Sequence, residues 1–102
     1  MNPPEKFIKI INQKRYNTAT ATLIAGDDFW DGHNWERHGR NTFLYKTPNG
    51  AFFVVHLTHW QGEADSLEAV DLETAIELYE NSLTEERINY SEAFPNISVE
   101  DA

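Results

Sequence analysis

The chain has 102 residues, 40% of them hydrophobic, with six Phe, four Tyr, three Trp, no cysteine and a formal net charge of −9. That length suits one domain, residues 1–102, with a single modest core, and the aromatic content argues against wholesale disorder. The absence of cysteine excludes disulfides, thiolate metal sites and cysteine nucleophiles. The opening residues lack the apolar core of a signal peptide and no apolar run is long enough to span a bilayer, so the expectation is a soluble protein of the host-cell cytoplasm with no membrane partner.

Along the chain, residues 7–11 read as a strand with Ile8 and Ile10 on one face and Phe7, Lys9 and Ile11 on the other. A turn at Asn12, Gln13 and Lys14 returns into a short second strand over residues 15–17. Residues 18–25 predict a two-turn helix capped by Thr18 and ended by Gly26, burying Ala21, Leu23 and Ile24. Residues 26–41 are rich in turn formers and carry Phe29, Trp30, Trp35, His33 and His38, a loop of a length that is usually functional or mobile. In it, Phe29 and one Trp are expected to plug the core and the other Trp to make contacts. Residues 42–46 and 51–59 are aromatic and β-branched around Thr47, Pro48, Asn49 and Gly50, which predicts a β-hairpin covered on both faces. Residues 67–70 predict an edge strand.

Asp71 then caps a helix over residues 72–81, with Leu72, Ile76, Tyr79 and Leu83 as its buried stripe. Thr84, Glu85 and Glu86 predict a second helix running to about Ala93, before Pro95. Residues 1–5 and 96–102 are expected to fray. The fold class expected is α+β: a small antiparallel sheet of three to five strands with C-terminal helices packed on one face.

Charge is divided unevenly along this order. Residues 61–102 hold twelve acids and one base, Arg87, whereas residues 1–60 hold seven bases and five acids, so the halves carry about −11 and +2. Glu73, Glu77 and Glu80 fall at i, i+4 and i+7, and neighbours on such a helical stripe sit roughly 6 Å apart, close to the spacing of successive phosphates. The pattern suits a decoy for a protein that grips nucleic acid, although any amphipathic helix puts its charges in water. The same acidity makes direct nucleic-acid binding unfavourable, since Lys6, Lys9, Lys14 and Arg15 are a small footprint on a −9 protein.

Catalytic motifs are missing from the sequence. His56 and His59 are three apart on a strand and leave from opposite faces. His33 and His38 lie in the irregular loop without the convergent ligands that zinc needs. No phosphate-binding Gly-rich loop and no nucleophile elbow occurs. No cofactor, no metal and no catalytic residue are expected.

Residues 10–22, IINQKRYNTATAT, resemble the opening of small bacterial, phage and mobile-element proteins that begin with an I-I-N-G-K-x-Y-D-T-x-T-A motif. Those proteins continue into an aromatic hairpin and an acidic helix, an order that covers about 75 residues here. Gln13 stands where a turn Gly is usual and Asn17 where Asp is usual. Small acidic proteins of such elements include anti-CRISPR proteins. The resemblance therefore implies a non-enzymatic inhibitor that binds a basic nucleic-acid-binding surface of a CRISPR effector subunit and blocks access to target DNA. Asp71, Glu73, Glu77, Glu80, Glu85 and Glu86 would imitate phosphates, and Trp30, Trp35 and Trp60 would supply apolar anchors. The alternatives are a host or prophage acidic interaction module, monomeric or homodimeric, without nucleic-acid mimicry, and a small hydrolase or metal protein using the histidine loop.

Overall fold

The computed structural model describes residues 2–28 and 39–102. Its centre is a five-stranded antiparallel sheet in the order β6-β5-β4-β3-β7, formed by β3 (Thr22–Gly26), β4 (Arg40–Lys46), β5 (Phe52–Thr58), β6 (Ser66–Val70) and β7 (Glu85–Glu86). A separate two-stranded sheet pairs β1 (Ile8–Ile11) with β2 (Lys14–Asn17). After β6 come helix α1 (Leu72–Glu77), a π turn (Leu78–Ser82), β7 and a one-turn helix α2 (Tyr90–Ala93). The expected α+β class, with helices at the C-terminal end of a sheet protein, is what the structure shows.

The β4–β5 hairpin forms as its pattern dictates. Thr47 N donates to Ala51 O and Gly50 N to Thr47 O, and Gly50 takes a φ of 87° that suits glycine. Alternation along these strands then builds two cores. Phe43, Tyr45, Phe53 and Val55 face the β1–β2 hairpin, where Tyr16, Phe7 and Ile11 cover them. Leu44, Phe52 and Val54 face the helical segment, where Ala75, Tyr79, Leu83, Ala93 and Phe94 cover them. Both faces of the sheet are therefore occupied, and the two covers lie on opposite sides.

Residues 18–25 are not a helix. Residues 22–26 form β3, inserted beside β4. The Thr18 hydroxyl accepts from Phe7 N at 2.8 Å instead of capping a helix, and Thr18 N donates to Phe7 O. Thr20, Thr22 and Ile24 are β-branched residues that prefer strands. A bulge between Leu23 and Ala25 breaks simple alternation, so Ile24 and Ala25 both bury on the helical side while Leu23 packs on the hairpin side.

The predicted C-terminal helix over residues 84–93 is also replaced. Glu85 and Glu86 extend the sheet by pairing with Gly26 and Ala25, and Arg87 N donates to Ile24 O. Pairing an otherwise open edge of β3 outweighs the local helical preference. The helix begins only at Asn89, whose side chain accepts from Glu92 N at 2.9 Å. Gly26 and Asn41, expected inside the long loop, belong to strands β3 and β4. Phe29, Trp30, Trp35, His33 and His38 lie outside the described residues.

Candidate partner-binding surface

Asp71 caps α1 as expected: its carboxylate accepts from Thr74 N at 2.8 Å, and hydrogen bonding from the Thr74 side chain, followed by this backbone N–H, holds its pKa below the usual carboxylate value. The buried stripe differs from the predicted one. Leu72 is 42% exposed, and the inward residues are Ala75, Tyr79 and Leu83, with Ile76 half-buried. A regular helix turns every ~3.6 residues, so positions four and eight apart drift off a common face. The π turn, in which Leu83 N donates to Leu78 O at 2.8 Å, widens the coil and keeps Tyr79 and Leu83 pointing inward. Helix α1 accordingly ends at Glu77 rather than at residue 81.

Glu73, Glu77 and Glu80 are all exposed. Two of them are already tied to neighbours: Asn81 Nδ2 donates to Glu77 at 2.9 Å, and Tyr90 OH donates to Glu80 at 2.8 Å. The Glu80 carboxylate raises the Tyr90 pKa. Glu86 is exposed and Glu85 half-buried on β7.

An aromatic pair organises this end of the molecule. The Tyr79 and Tyr90 rings meet edge to face at 5.5 Å, and Tyr79 OH donates to Ile88 O. Burial, followed by the Glu86 carboxylate and then the charges of Glu92 and Tyr90, pushes the Tyr79 phenol up to about 12. Glu80, Glu86 and Glu92 therefore converge around two tyrosines. Glu92, Tyr79 and Tyr90 were missing from the sequence-derived surface, because their convergence depends on α2 folding back against the π turn.

Trp60 is 50% exposed, with the Arg40 guanidinium 5.8 Å from its ring centroid. Arg40 is itself paired with Glu63, whose carboxylate also accepts from Thr58 Oγ1 at 2.6 Å. Trp60 sits past the end of β5, whereas Asp71 follows Val70, which pairs with Phe52 at the start of β5. The seven residues of β5 separate these points by about 20 Å, so the structure does not bring Trp60 and Asp71 together.

The charge asymmetry of the sequence becomes a division between two faces. Lys14 and Arg15 lie exposed on the hairpin that covers one side of the sheet, and the acids of residues 71–92 lie in the segment that covers the other. The base in that acidic segment, Arg87, is engaged by Asp28 and by Glu85 O.

His56 Nδ1 shares a hydrogen bond with Thr42 Oγ1 at 3.1 Å, and its Nε2 lies 3.4 Å from Glu68. Among the described residues no group of three or more His, Asp or Glu is arranged to hold a metal ion. No helix of the described residues is long and apolar enough to cross a membrane. Comparison with known proteins finds no matching family model, no matching curated protein and no matching solved structure.

Proposed function

We propose that this protein is a non-enzymatic inhibitor of the anti-CRISPR type, whose acidic helical face occupies a basic nucleic-acid-binding surface of a CRISPR effector and blocks target DNA. The observation that carries the reading is facial segregation: Asp71, Glu73, Glu77, Glu80, Glu86 and Glu92 are exposed on the segment opposite the basic hairpin. A field of one sign on one face steers a complementary surface and disfavours wrong orientations. The resemblance of residues 10–22 supports an effector of that kind as the partner.

The test measures binding of a guide-loaded CRISPR effector to labelled target DNA in the presence of the protein. Replacing Glu73, Glu77 and Glu80 together by Gln keeps side-chain size, and the amide oxygens still accept from Asn81 and Tyr90. The variant is expected to fold and to inhibit at least tenfold more weakly. Inhibition by the native chain is expected to weaken as salt rises from about 50 to 300 mM, because the screening length is about 8 Å at 0.15 M. Full-strength inhibition by the folded triple variant would refute the acidic face as the contact.

A homodimeric interaction module is the second reading. It is favoured by Ile8 and Ile10, 42% and 62% exposed on the outer face of the β1–β2 hairpin. Sedimentation of the native chain beside an Ile10→Thr variant separates the two readings.

A further inference from the structure

A groove of ≈ 330 Å³ opens between the β4–β5 turn, the start of α1 and the chain following α2. Its walls are largely apolar: Phe52 and Phe94, with ring centroids 5.5 Å apart, Val70, Leu72 and Ile97. Leu72 is the residue of the predicted buried stripe that the π turn leaves exposed, and it is exposed at this groove.

The charged side chain in the lining is Lys46. Its ammonium donates to Ala93 O at 3.2 Å and lies 5.9 Å from the Phe52 ring centroid. An ammonium has three donors, so this contact leaves two for another acceptor. Lys46 is half-buried, yet among the described residues no carboxylate pairs with it, although the chain has seventeen acids. Arg40 and Arg87, by contrast, each hold an acid. Removing part of a cation's hydration without an anionic partner is unfavourable, and an incoming anion relieves that cost.

We propose that this groove is a binding site for a small apolar monocarboxylate, its hydrocarbon or aromatic body among Leu72, Val70 and Ile97 over the buried rings of Phe52 and Phe94, and its carboxylate on Lys46 Nζ. The occupant follows from size and charge. The volume is at the lower end of the roughly 300–1,000 Å³ typical of small-molecule sites, and a single cation among apolar walls matches a single anion on an apolar body. The groove borders the proposed effector contact at Asp71, which lies between the lining residues Val70 and Leu72, but the proposal does not depend on that reading.

The probe is 4-phenylbutyrate, titrated into isotopically labelled full-length protein while backbone amide shifts are followed. Saturable shifts are expected at Phe52 and Ile97, with half-saturation near about 1 mM for a ligand of about twelve non-hydrogen atoms. The neutral counterpart 4-phenylbutanol is expected to bind at least tenfold more weakly, and Lys46→Met is expected to abolish that difference. The acid-against-alcohol comparison uses the native chain and so decides the matter even if the variant misfolds. Equal binding of acid and alcohol, or no saturable shift at these residues, would overturn the proposal.

Discussion

Replacing Gln13 by Gly is expected to stabilise the protein, and the reason lies in two backbone angles. β1 and β2 pair through Ile11 and Lys14, leaving Asn12 and Gln13 as a two-residue turn with φ of 51° and 67°. The type I′ turn, one of the two-residue turns that match the right-handed twist of the flanking strands, requires positive φ at both central residues. Asn tolerates this region because its short amide bonds locally to the backbone, whereas Gln has no such compensation. The left-handed conformation costs an ordinary side chain roughly 1–2 kcal/mol. Glycine removes that cost but loses more freedom on folding, by roughly 0.5–1 kcal/mol. The net gain is about 0.5–1 kcal/mol, or a rise of about 4 °C in Tm for a domain of this size. Thermal melts followed by circular dichroism, with urea unfolding to check that the m value is unchanged, measure it. Asn12→Gly is the control and should move Tm less. A Gln13→Gly variant that melts at or below the native temperature would refute the reasoning. The hairpin covers one core of the sheet, so its stability is coupled to that of the whole fold.

Alkaline pH should weaken the fold through two buried phenols. Burial is the first cause of the Tyr45 pKa rising to about 12 and of the same rise at Tyr79, against an ordinary value of 10.0. A group whose folded pKa is raised contributes stability that is whole below its unfolded pKa and is lost as pH climbs to the folded one. Stability is therefore expected to fall between about pH 10 and 12, by at most about 2–3 kcal/mol through Tyr45 and by less through Tyr79, the less deeply placed phenol of the two. Urea midpoints across that window check it, and Tyr79→Phe should flatten the fall. Phe94→Ala should cost about 3–5 kcal/mol, because Phe94 is fully buried against Phe52, Tyr79 and Tyr90. Chemical denaturation measures that loss, and a cost below about 1 kcal/mol would show that the helical cover is not part of the cooperative fold.

The β1–β2 and β4–β5 hairpins and the β6 edge were legible in the sequence, because period-two alternation and turn residues act over a few positions. So was the Asp71 cap, which needs only a carboxylate three residues before a free backbone N–H. The two-sided cover of β5 also followed from the unbroken apolar run Phe52, Phe53, Val54 and Val55. What the sequence left open was every choice between local propensity and a distant partner. Residues 18–25 have alanines and a capping threonine suited to a helix, and residues 84–93 have acids placed for one. Both segments yielded to β3, which completes the sheet between β4 and β7 and satisfies hydrogen-bonding groups that no local pattern reveals. The π turn was hidden for a similar reason. Only the need to bury Ala75, Tyr79 and Leu83 against Leu44 and Val54 selects the wider coil that releases Leu72 to the surface. The excess of acids was evident from composition alone. That the acids of residues 71–92 lie across the sheet from Lys14 and Arg15 was decided by tertiary structure, because the hairpin and the helical segment were driven onto opposite faces of one sheet by the apolar residues each had to bury.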